Sequence, residues 1–499
     1  MNSTEKMQNN DSILIVGNTL EAYVTAYALS QQFGKARYKV SILKSNKKEF
    51  ARGISLSYEA LSILNRLGIS EKLLVENIPL NYKIGTIFNH WGEQHKSLQP
   101  LGSHGGPMDM VAFQSFAVKK KQSDSALDFN SYSLGAKAAL EAKFVHPQSS
   151  PGSILSTLAY SLNLDGDAFS CWAQALCESR DIAIVEGDVA EVLVDEASNF
   201  INTITLSDNS QLSAELIIDC SNESQNKLSD KLSVHFNYWN DLFSNHREIN
   251  FVVKQNSENL PVTQVANKEG VIHQQVVIGD DVFGKVYYSE DLANEESVIN
   301  SLSISKEASF KASDSSEFFH GIRERAWLGN YVALGGAYGN YYPFDACNFY
   351  GFLNALERLI TLFPRTQSFE LEAYEFNRKT QLWYENMRDF NLIRVLGLGS
   401  QKATTTQFEM LPESFQHKFE LFTESAQLAY YEEEPFAEHY RVSTFINMDF
   451  WPSQYDPLLD RFDFVRLDAR FNEMRETISS TVRNMPNHQE YLTSLKAQK

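Results

Sequence analysis

Ser12-Ile-Leu-Ile-Val-Gly17-Asn-Thr-Leu-Glu-Ala22 decides the fold of this chain. Ser12 to Val16 is a short β-branched run that meets Gly17. An apolar-periodic segment follows from Glu21 to Phe33 and stops at Gly34, which predicts strand, tight turn and helix in that order. A second strand, Tyr38-Lys-Val-Ser-Ile-Leu43, comes within the interval a βαβ unit requires. Such a turn ordinarily reads G-x-G-x-x-G. Its second glycine lets the backbone approach a pyrophosphate, and its third lets the helix pack on the strand. Here only Gly17 is kept, Thr19 brings a β-branched side chain to the second position, and Ala22 is a tolerable third. Strand two ends at Lys44, which has donors only, where an acidic residue normally accepts the ribose hydroxyls. Read alone, the region is balanced between weak dinucleotide binding and a dinucleotide fold without its ligand.

Outward from this unit, Asp167 to Ser179 carries Ala168, Phe169, Trp172 and Leu176 at helical spacing. Strand-like runs follow at 182–185, 190–194, 201–206 and 215–220. From Leu228 to Lys311 mixed strands predict a substrate-side sheet, and from Asn348 onward the pattern is helical, with Phe352, Leu356, Leu359 and Leu362 on one face. The expectation is an α/β Rossmann-like domain over 1–364, with the substrate-side sheet interleaved at about 228–311, and a helical subdomain over 365–499. With 499 residues the chain can bury a large core. A net charge of −19, from 44 Lys and Arg against 63 Asp and Glu, repels nucleic acid and anionic membranes. No export signal and no run of about 18 apolar residues is visible, so a cytoplasmic protein is expected. Cys171, Cys177, Cys220 and Cys347 lack metal-ligand spacing, and His90 and His95 read as an exposed strand pair.

Lys83-Ile-Gly-Thr-Ile-Phe-Asn-His-Trp-Gly92 resembles the K-x-G-x-x-F-x-x-W pattern of flavin-dependent tryptophan halogenases. The likeness continues, in the same order, through Tyr160 to Phe169, Val185 to Val189 and Ile217 to Ser221. It is most specific over Asn330 to Asn348, where a glycine-rich run precedes a helix, and it extends to the closing helices at 474–492. The resemblance implies FAD reduced by a separate flavin reductase. It places that FAD against Gly17, Asn18, Thr19, Leu20, Ala22, Lys44, Val189, Gly336 and Phe349. It further implies that reduced flavin, dioxygen and halide yield hypohalous acid, which reaches a lysine beside a small or peptidyl aromatic substrate. No second, nicotinamide-binding fingerprint is visible, in keeping with an external reductase; a homodimer is left open.

Lys83 matches the family's lysine, and a buried amine can hydrogen-bond hypohalous acid or form a haloamine. Without its flanks it would read as a surface lysine opening a strand. Asp345 matches a family glutamate that stabilises the ring cation and helps remove its proton, and its other reading is a helix cap. The backbone N–H groups of Cys347 and Asn348, at a helix start, suit a halide. Two departures stand out. The family's W-x-W-x-I-P block should fall at Gly270 to Val276 and is absent, and its G-E-A-T-like flavin strap is replaced by Arg52-Gly-Ile-Ser-Leu-Ser57. They leave open a flavin monooxygenase that uses no halide and a non-catalytic binding protein of the same fold.

Overall fold

Ile13, Leu14 and Ile15 are apolar in succession, which suits a central parallel strand covered on both faces. The computed structural model describes residues 11–33, 38–46, 53–92, 96–148, 150, 152–221, 227–254, 259–302, 310–342, 344, 347–364, 369–399 and 408–497. In it β1 (Asp11–Val16) pairs in parallel with β2 (Tyr38–Lys44), Ile15 opposite Ile42. Between them runs α1 (Leu20–Gln32), one residue earlier at its start than the periodicity predicts. The earlier start follows from Thr19, whose hydroxyl caps the helix by accepting from Ala22 N at 3.1 Å.

β3 (Gly53–Ser55), β4 (Leu80–Lys83) and β7 (Ser161–Asp165) form a small sheet in the order β3-β7-β4. β5 (Gly85–Asn89) and β6 (Lys96–Pro100) join a larger mixed sheet with β10 (Arg247–Lys254), β11 (Val262–Lys268), β12 (Val271–Ile278), β13 (Asp281–Tyr288) and β14 (Phe310–Ala312), in which β5 and β11 pair in parallel. The nucleotide-type sheet is completed by β8 (Ala183–Glu186), β9 (Leu216–Asp219), β15 (Trp327–Leu328) and β16 (Tyr331–Ala333), in the order β15-β16-β9-β1-β2-β8. The turn after β1 therefore opens at the C-terminal edge of a parallel sheet, where such folds take ligands.

Six helices matter for the site: α2 (Tyr58–Arg66), α3 (Gly166–Ser179), α4 (Cys347–Thr361), α5 (Glu370–Leu398), α6 (Glu438–Asn447) and α7 (Phe464–Asn484). α1 is buried almost all round, because α3 and α4 cover the flanks that the sheet leaves open. His90 lies just past β5 in a turn with φ 53, not in a strand, and His95 falls outside the described residues. None of the described helices is long and apolar enough to cross a membrane.

Gly17 has φ +143, and a Cβ there would lie 3.0 Å from the carbonyl oxygen of Cys220 at the end of β9. Gly17→Ala is expected to cost about 1–3 kcal/mol through strain and displacement of β9. Urea unfolding of the variant checks this, and an unchanged midpoint would contradict the account.

Candidate functional site

In β4 successive side chains face opposite ways. Tyr82 stacks on Phe144 with ring centroids 4.3 Å apart, and its hydroxyl donates to Glu71 at 3.0 Å. Lys83 points the other way and is 0% exposed. Its Nζ donates to Ser55 Oγ at 2.9 Å and to the Leu56 carbonyl at 3.5 Å. Ser55 Oγ lies 2.6 Å from Thr263 Oγ1, and Thr263 in turn donates to Asn163 Oδ1 at 3.0 Å. Because Thr263 is committed to Asn163, the Ser55 hydroxyl must donate to Thr263, so all three hydrogen bonds run away from the amine. Three strands thus hold one lysine in one direction. The strap segment that looked unlike the family supplies the first acceptor, Ser55; Arg52 lies outside the described residues.

Glu59 was not singled out in the sequence, where an acid two residues after Ser57 reads as an ordinary first-turn residue. Burial raises the Glu59 pKa above 4.5, opposed in turn by its own backbone N–H, the Ser57 hydroxyl, the Lys83 charge and the Ala437 backbone N–H. The carboxyl thus sits where the start of α2, Lys83 and the start of α6 meet. A carboxyl raised on folding is most favourable to the fold below about pH 4.5, and that contribution is lost as pH rises through its folded value. Glu59→Gln should therefore gain in relative Tm as pH is raised from about 4 to about 7. A Tm difference that does not vary with pH would contradict this.

The aromatic half of the motif grips a distant segment. Trp91 is buried, its Nε1 donates to the Arg394 carbonyl at 2.9 Å, and its ring meets Phe344 edge-on at 5.6 Å. Arg394 is fully buried on α5 and donates to the Phe344 carbonyl at 3.1 Å, to Gln99 Oε1 at 2.9 Å and to the Tyr440 hydroxyl at 3.2 Å. Its guanidinium lies over Phe88 and Phe390, at 5.5 and 4.7 Å from their centroids. Phe88 and Trp91 thus anchor Arg394 and Phe344, next in sequence to Asp345. Asp345 itself lies outside the described residues. Cys347 opens α4, and Asn348 Oδ1 accepts from Tyr341 N at 3.1 Å.

Where the indole block is missing, β12 presents Gln274 and Val276 on one face. Val276 packs toward Gly53, the first residue of the strap strand β3. Gln274 thus shares the face of β12 that meets the strap strand.

At the first turn, Asn18 Nδ2 donates to the Ser45 carbonyl at 2.9 Å and its Oδ1 accepts from Tyr23 at 2.8 Å. Thr19 Oγ1 donates to the Cys220 carbonyl at 2.8 Å. The side chains of the altered fingerprint are therefore turned into the protein. The backbone N–H groups of Asn18, Thr19 and Leu20 find no acceptor among the described residues. Opposite them Gly335 has φ +60, and a Cβ there would come within 3.4 Å of Glu21 Cγ and 3.6 Å of Phe352 Cβ, narrowing the crease between α1 and α4. Consecutive free N–H groups at a helix start, facing a glycine-lined crease, fit a flavin diphosphate. Gly336 is half-buried beside this crease, and Phe349 is buried against Phe352 and Phe169. Ala22 is packed inside α1. Lys44 is paired with Glu186 at 3.3 Å, and Val189 begins a separate hairpin strand, its carbonyl accepting from Lys227. Among the described residues no group of three or more His, Cys, Asp or Glu could hold a metal ion.

The family model for tryptophan halogenase matches residues 12–463. Among solved structures, BrvH, a flavin-dependent halogenase from Brevundimonas sp. BAL3, superposes with a TM-score of 0.89 at 23% identity, over 98% of this chain and 99% of that one. Xcc4156, a flavin-dependent halogenase from Xanthomonas campestris, gives 0.88 at 21% identity, over 97% and 98%. The tryptophan 6-halogenase SttH from Streptomyces toxytricini gives 0.85 at 17% identity, over 97% and 100%.

Proposed function

The chain belongs to the tryptophan halogenase family and is an enzyme of that flavin-dependent class, and on that premise we propose that it halogenates an electron-rich aromatic substrate of indole or phenol type, using FAD reduced by a separate reductase. The observation that carries the proposal is Lys83: a fully buried amine at the end of a strand, held by an oriented hydrogen-bond chain. Taking an amine out of water is costly even when it is hydrogen-bonded, which favours a functional reason for keeping it.

FAD would be held by the N–H groups of Asn18, Thr19 and Leu20 below the Gly17 turn, with Gly335 and Gly336 opposite. Bound and reduced, with dioxygen and halide, it supplies hypohalous acid. A halide would sit at the start of α4, on the backbone N–H groups of Cys347 and Asn348. Lys83 Nζ donates a hydrogen bond to the oxygen of hypohalous acid and orients its halogen toward the ring. As the carbon–halogen bond forms, the oxygen–halogen bond breaks, and the departing hydroxide takes a proton from Lys83 to leave as water. Asp345 takes the ring proton, and its return to Lys83 resets the site. Gln274, in place of an indole wall, points to a substrate with a polar substituent on that side.

Turnover with chemically reduced FAD, bromide and a panel of indoles and phenols tests this. Brominated product that requires bromide is expected, and oxygenated product formed equally well without halide would replace this reading with a monooxygenase.

A further inference from the structure

The altered fingerprint contains one charge that its backbone does not need. Glu21 is the second residue of α1, in the turn whose free N–H groups form the diphosphate seat. Its side chain is half-buried and reaches toward the crease, since a Cβ at Gly335 would meet Glu21 Cγ at 3.4 Å. Burial raises its pKa above 4.5, countered by its own backbone N–H, by Lys285 and by the Thr19 hydroxyl. The side chain therefore lies in the first turn of α1 and borders the crease, beside the Asn18, Thr19 and Leu20 N–H groups that would bind phosphate oxygens. Lys285 on β13 shares the strand face of Phe283, which packs on Gly53, and its charge reaches Glu21. Lys285 also has Glu248 at 3.6 Å. The remaining titratable groups whose charges couple to Glu21 are Tyr384 on α5 and Cys220 beyond β9, and burial raises the pKa of both.

We propose that Glu21 is an internal counter-anion of the flavin cradle: its carboxylate holds the position that the FAD diphosphate requires, so FAD enters against this charge and binds more tightly in acid. The inference rests on the reading that FAD occupies this cradle. A diphosphate placed there gains the helix start and Lys285 but faces Glu21 at close range, and like charges so placed oppose binding strongly. The diphosphate stays ionised throughout the accessible range, so protonating Glu21 is the change that relieves the repulsion. Acid should favour binding, and a neutral isostere should remove the dependence. Riboflavin, which has the ring system without phosphate, should be indifferent to both.

The test is equilibrium titration of the purified full chain with FAD and with riboflavin, for wild type, Glu21→Gln and Glu21→Ala, between about pH 5.5 and about pH 8. At the upper end Glu21→Gln should bind FAD at least about tenfold more tightly than wild type. Wild-type affinity for FAD should rise as pH falls, that of Glu21→Gln should stay flat, and riboflavin should bind all three alike. If wild type and Glu21→Gln bind FAD with the same affinity and pH slope, the role of Glu21 is overturned while the flavin reading stands. If folded wild type and both variants bind neither flavin, the flavin reading falls and this inference with it. Should the variants not fold, wild type alone decides, because FAD affinity that follows riboflavin affinity at every pH overturns the proposal.

Discussion

Lys83→Ala should lose bromination by about 10²–10⁴-fold in kcat/KM while FAD affinity stays at the wild-type level, because Lys83 lies in β4 and the cradle is built after β1. The loss follows from geometry, since the amine is placed by Ser55 and the Leu56 carbonyl and the substitution removes it. Lys83→Met separates chemistry from folding, since it keeps most of the volume and removes only the polar head. Both variants withdraw the Lys83 charge from Glu59, and only the alanine variant also leaves a cavity. The methionine variant should therefore stay folded with a Tm above that of the alanine variant while brominating no better. Bromination by either variant at the wild-type rate would remove Lys83 from the mechanism. A methionine variant that falls as far in Tm as the alanine variant would make the lysine structural.

Trp91→Ala should cost about 3–5 kcal/mol of stability. The indole is buried, meets both Phe88 and Phe344 edge-on, and donates to the Arg394 carbonyl. Its removal leaves a cavity between β5, α5 and the Phe344 segment, and frees that segment on the side where Asp345 follows. Activity should then fall further than the folded fraction alone explains. Trp91→Phe keeps much of the packing and loses the N–H donor, at about 1 kcal/mol for the hydrogen bond. Urea unfolding of the two variants gives the comparison. A Trp91→Ala protein within about 1 kcal/mol of wild type would show that the Phe344 segment is held by Arg394 alone.

The fingerprint at 17–22 left nucleotide binding evenly balanced when judged by side chains, since Thr19 stands where the motif has its second glycine. The structure turns Asn18 and Thr19 inward, onto Ser45, Tyr23 and Cys220, and leaves their backbone N–H groups without an acceptor among the described residues. A motif states which residues are usual, whereas the diphosphate requirement is for backbone donors and space. The residue that does bear on the ligand is Glu21, at a position the motif leaves unspecified. The likeness at 83–91 was legible because Lys83, Phe88 and Trp91 stand within one short window of chain, and the structure buries all three.

Local order determined the scaffold from the sequence alone: a β-branched run, a glycine with positive φ, a capped helix and a second strand specify the βαβ unit because their information lies within one window of chain. The tertiary structure alone decided that Lys83 is dry, that Ser55 and Thr263 orient it, and that Glu59 shares its corner. It also brought Trp91 to Arg394 across 303 residues. Burial and the pairing of polar groups depend on which distant segments meet, and sequence periodicity is silent about such meetings.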